Sequence, residues 1–86
     1  MNEASPNTKS EIQKLRDELQ RLRDEMRLQM HLASMDVRQS FEQMEPEIER
    51  LQQRARTRTE EEAAKVRLAL KKAKNELQDL RDRIAA

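Results

Sequence analysis

One apolar stripe constrains this chain more than any other feature. Starting at Ile12, apolar or small residues recur at Leu15, Leu19, Leu22, Met26, Met30, Ala33, Val37, Phe41, Met44, Ile48, Leu51 and Ala55. After the polar member Thr59 follow Ala63, Val66, Leu70, Ala73, Leu77, Leu80 and Ile84. That is twenty steps over 72 residues, a mean spacing of 3.6, the α-helical period. No stretch alternates with period two, so the expected class is all-α from end to end.

Composition agrees with a narrow stripe on a charged rod. Of 86 residues, 41% are charged and Phe41 is the sole aromatic, which leaves little to fill an ordinary globular core. The absence of glycine excludes phosphate-cradling and dinucleotide-binding loops, which need backbone positions only Gly occupies readily. The absence of cysteine excludes disulfides, zinc fingers and thiol catalysis. No uninterrupted apolar run exceeds three residues, so neither a signal segment nor a membrane span is expected, and the reading is a soluble cytoplasmic protein. Residues 1–8, with Pro6 and no periodic apolar position, are expected to form a disordered tail ahead of one helical domain at 9–86.

Two places compete for the turn that folds the stripe back on itself. Thr59 followed by Glu60, Glu61 and Glu62 makes a capping box, with carboxylates at the positive end of a new helix. Pro46 is the other site, but Glu45 before it is a poor N-cap. A turn near Thr57 pairs residues whose numbers sum to about 114, setting Phe41 against Ala73 and Ile48 against Val66, with Glu45 near Arg67. A turn at Pro46 would set Ile12 against Leu80 and Leu19 against Ala73, but brings Arg16 near Lys74 and Arg23 near Arg67. The favoured expectation is a helical hairpin: a long helix over 9–56, kinked near 46, and an antiparallel helix over 59–84.

That architecture leaves the N-terminal heptads Ile12, Leu15, Leu19, Leu22 and Met26 without a partner in the chain, so they are expected to form a self-association seam. Glu11, Glu18 and Glu25 fall at g, and Arg16 and Arg23 at e. A parallel homodimer would face Glu11 with Arg16 and Glu18 with Arg23. Leu28, Leu32 and Met35 lie off the main stripe at spacings of four and three, and with His31 they form a candidate surface for a partner subunit or another helical protein. These heptads and charged faces resemble coiled-coil proteins in general.

No residue pattern points to catalysis. His31 is the only histidine, with no acidic residue three or four positions away, so the helical Glu-x-x-His metal motif is absent and no metal or cofactor is expected. The balance of 18 basic and 17 acidic residues gives no bulk attraction to a polyanion. The excess base is local, in the stretches 50–58 and 65–74, where Arg67, Lys71 and Lys74 share a helix face as a candidate phosphate-binding patch. Without an aromatic platform on which bases could stack, that nucleic-acid reading is the alternative. Membrane binding is not expected, because the polar face carries too many carboxylates. The main expectation is a non-enzymatic, oligomerising coiled-coil protein of structural or adaptor type that binds partner helices.

Overall fold

The computed structural model describes residues 6–85, which form three α-helices: α1 (Pro6–Gln29), α2 (Met35–Thr57) and α3 (Ala63–Ala85). No strand occurs among the described residues. Residues 1–5 of the expected tail lie outside the described residues, whereas Pro6 already begins α1. A proline suits that first helical position, since its missing N–H would have no intrahelical partner there. The helices have 24, 23 and 23 residues and pack side by side in a body of 44 × 20 × 16 Å.

The all-helical expectation holds, and a turn carrying Thr59 is present, but it spans 58–62 rather than 56–59, so α3 begins at Ala63 and not at residue 59. Thr59 N–H donates to Glu62 Oε1 at 3.1 Å, and Glu62 N–H donates to Thr59 Oγ1 at 3.3 Å, which is the reciprocal capping box. The first turn after it is tight: Glu62 N–H reaches Thr59 O at 3.1 Å and Ala63 N–H reaches Glu60 O at 3.3 Å. Pro46 lies inside α2, as expected for a turn placed further on. Pro46 is exposed, as is Glu42, the residue whose carbonyl is left without its i+4 donor.

The single long helix over 9–56 is corrected by a second turn. Helix α1 ends at Gln29, Met30–Leu32 form one 3₁₀ turn, Ala33 is extended, and Ser34 caps α2 by accepting a hydrogen bond from Val37 N–H at 3.3 Å. Asp36 adds a carboxylate to the first turn of α2. The chain therefore runs up, down and up, with α1 and α3 parallel. The α2–α3 alignment also shifts. One surface groove is lined by Met44, Ile48 and Leu51 from α2 and by Ala69, Ala73 and Glu76 from α3. The turn spans 58–62 and is centred near residue 60 rather than 57, which moves the pairing sum from about 114 to about 120.

With α1 folded back, the N-terminal heptads are core rather than an open seam. Ile12, Leu15, Leu19, Leu22 and Met26 are all buried, in one cluster with Val37, Phe41 and Ile48 of α2 and Val66, Leu70 and Leu77 of α3. The expectation that residues 9–28 find no partner within the chain is thus overturned. Twenty-odd residues of helix are marginal in water alone, and the chain's own third helix supplies the missing surface.

The charges flanking this seam show how α3 is aligned. Glu11 meets Arg67 at 3.6 Å, Glu18 meets Lys74 at 3.2 Å, and Glu25 meets Arg81 at 3.6 Å. Each pair spans 56 residues, and successive pairs are one heptad apart. These are g-to-e contacts between parallel helices, made with α3 instead of with Arg16 and Arg23 of a second chain. Since a g-to-e pair reaches five positions past alignment, Ile12, Leu19 and Met26 lie level with Ala63, Leu70 and Leu77.

Candidate interaction surface

Folding back at residues 30–34 leaves three large apolar side chains in water at one end of the bundle. Leu28, Leu32 and Met35 are 77%, 65% and 64% exposed. Their surroundings are well ordered by local bonds. Met30 O accepts from Ala33 N–H at 3.1 Å and from Arg38 Nε at 3.0 Å, and Ser34 O accepts from Arg38 N–H at 3.0 Å. His31 Nδ1 lies 3.1 Å from Leu28 O; a carbonyl only accepts, so the bond places the proton on Nδ1. Met30 and Ala33, half-buried, tie the turn to the core beneath it.

Leu28, His31, Leu32 and Met35, the residues of the sequence-derived surface, are all exposed at or beside this turn. The reason differs from the one the pattern suggested. These residues flank a turn and do not form a second face on a continuous helix. Beside them lies a shallow cleft lined by Arg27, Arg38, Phe41, Glu42 and Glu45. Leu68 of α3, 58% exposed, stands alone on its helix, as single surface leucines commonly do.

Between α1 and α2 runs a polar contact that the sequence reading missed. Arg23 is 7% exposed; its Nη1 donates to Gln52 Oε1 at 2.8 Å, and Gln52 Nε2 donates to Gln20 Oε1 at 3.0 Å. Arg23 Nε has no hydrogen-bond partner and sits 3.5 Å from Glu45 Oε2, an electrostatic contact only. Glu45 is held instead by Arg27, at 2.8 Å from Nη2 and 2.9 Å from Nε. Glu45 was expected near Arg67, and Arg23 near a second chain; the turn at 30–34 sends both to this seam. Arg23 sits one residue past Leu22 on the edge of the stripe, the position from which a long side chain can reach across a helix pair.

The candidate basic patch is largely neutralised within the chain. Arg67 and Lys74 are bridged to Glu11 and Glu18, and only Lys71 of the three is exposed without an ion pair among the described residues. In the 50–58 stretch, Arg50, Arg54 and Arg56 are exposed, and Arg58 bonds back to Ala55 O. Among the described residues no three His, Cys, Asp or Glu side chains gather as a metal site, and no helix is long and apolar enough to cross a membrane. No family model, curated protein or solved structure matches the chain.

Proposed function

We propose that this chain is a non-enzymatic helical module of structural or adaptor type, which binds a partner helix through the surface formed by Leu28, His31, Leu32 and Met35. The observation that carries the reading is the exposure of three large apolar side chains together at one end, in a chain whose stripe is otherwise packed inside. Exposed apolar side chains at a turn offer a hydrophobic surface on which an amphipathic helix can lay its apolar face, and methionine adapts to irregular partners. The ion pairs that occupy Arg67 and Lys74 count against the nucleic-acid alternative, because a cation already neutralised releases fewer counterions on meeting phosphate.

The test is site-specific photo-crosslinking in the native cell. A photoreactive residue at position 32 should yield a discrete protein adduct, and the same residue at exposed Gln53 should not. Adding Leu28→Ser and Met35→Ser should remove the adduct while leaving helicity unchanged. The reading fails if position 32 gives no adduct above that at position 53.

A further inference from the structure

The turn at 30–34 joins two helices whose apolar faces are already in phase. Met26, Met30, Ala33, Val37 and Phe41 follow one another at spacings of 4, 3, 4 and 4, as they would on one unbroken helix. A turn that only reversed the chain would impose no such phase across it. The segment Met30-His31-Leu32-Ala33-Ser34 also contains neither glycine nor proline, and α-helix is accessible to each of its residues. The α-helix is interrupted by the 3₁₀ turn Met30–Leu32 and by two extended residues, Ala33 at φ −84° and ψ 147° and the capping Ser34 at φ −66° and ψ 164°.

We infer that a second copy of this chain is a binding partner through exchange of α1, the turn at 30–34 opening into continuous helix so that α1 of each copy packs on α2 and α3 of the other. Phase continuity is the condition such an exchange requires. In the exchanged pair the two long helices run antiparallel, as α1 and α2 do within one chain. Each must then present its apolar stripe on the same side along both halves. The heptad ladder of Glu11, Glu18 and Glu25 with Arg67, Lys74 and Arg81 and the Arg23–Gln52 contact re-form between copies, so the exchange keeps these contacts between α1 and the other two helices. What differs is the turn: the open form gives up the Ser34 cap and the bonds from Ala33 N–H and Arg38 Nε to Met30 O, repacks half-buried Met30 and Ala33, and gains intrahelical hydrogen bonds through residues 30–34. Leu28, Leu32 and Met35 face away from the stripe in either form, so the surface proposed above stays available, and the two ideas fail separately.

Cross-linking distinguishes exchange from simple association. The chain has no cysteine, so Glu18→Cys with Lys74→Cys places a unique thiol pair at the α1–α3 contact, to be joined by a short bismaleimide after refolding across a range of concentrations. Light-scattering mass should show a dimer that grows with concentration, and on a denaturing gel the dimer fraction should be linked between chains and the monomer fraction within one. Met35→Pro tests the hinge. Proline fits the first position of α2 behind extended Ser34, but interrupts a helix running through residue 31, so dimer affinity should fall by about a hundredfold or more while the monomer stays helical. Two glycines inserted after Ala33 give a second variant with the same expected loss, and Ser34→Ala should raise the dimer fraction severalfold. A wild type that is monomeric at every concentration overturns the inference. So does a dimer linked only within its chains, or one that survives both hinge variants.

Discussion

Among the described residues Arg23 is the one charged side chain taken into the interior, and it shows what a polar contact contributes inside a small helical bundle. Its guanidinium is bonded to Gln52 but meets Glu45 only at 3.5 Å, so the pair adds little net stability when intact and costs much when one partner is removed. Glu45→Ala should destabilise by about 2 kcal/mol in urea unfolding, since Arg23 and Arg27 both lose their carboxylate. Glu18→Ala, which breaks a half-exposed pair with Lys74, should cost under about 1 kcal/mol. Introducing Arg23→Met into the Glu45→Ala variant should recover most of the loss. Equal costs for the two glutamates would mean that Arg23 does not depend on Glu45. The surface ladder of Glu11, Glu18 and Glu25 has a different role: three modest contacts at heptad spacing favour one alignment of α1 on α3 over slipped ones.

At the scale of elements, two turns of similar length were not equally legible. The turn at 58–62 carries Thr59 followed by three glutamates, a combination with a direct meaning at a helix start. The turn at 30–34 carries a weaker signal, Ser34 with Asp36, and it is masked by an apolar spacing that continues through it. The off-stripe residues Leu28, Leu32 and Met35 were the remaining clue. A helix apolar on two faces in a chain this polar is better read as a place where it bends. Thr59→Ala should lower stability by about 1 kcal/mol through loss of the capping box. Two glycines inserted after Thr57 should be tolerated, because they lengthen an exposed turn, whereas the same insertion after Glu45 should break α2 and abolish cooperative unfolding. Equal melting temperatures for the two insertions would contradict a continuous α2 across Pro46.

For the whole molecule, the decisive fact is that α3 serves both other helices, and the N-terminal heptads are consumed in doing so. Leu15→Asp with Leu22→Asp would place two carboxylates in the centre of that core. The expected outcome is loss of the fold, read as collapse of the circular-dichroism signal, because an unpaired buried charge is far costlier than a three-helix bundle of this size can absorb. A variant that keeps its helicity and changes only its mass would instead mark these leucines as an intermolecular seam. Charge at this scale is close to balanced, at +1 overall, with two of three candidate phosphate-binding cations already engaged. The wild type should therefore show no binding to duplex DNA even at low salt, where such contacts are strongest, and a measurable, salt-sensitive affinity would revive that function.

Helicity, its period and the residues of the apolar stripe were determined by the sequence alone, because the backbone repeat and the side-chain pattern are local properties that no neighbour needs to supply. The capping box at Thr59 was legible for the same reason: its hydrogen bonds lie within three residues of chain. Which stripe meets which was decided only in three dimensions. A heptad edged by Glu11, Glu18 and Glu25 is satisfied equally well by a basic edge on a second chain or on a distant helix of its own, since both present cations at the same spacing. The choice rests on whether the chain reverses at residues 30–34, and that reversal depends on burying Ile12, Leu19 and Met26 against Leu70 and Leu77, contacts about fifty residues apart that no local pattern encodes.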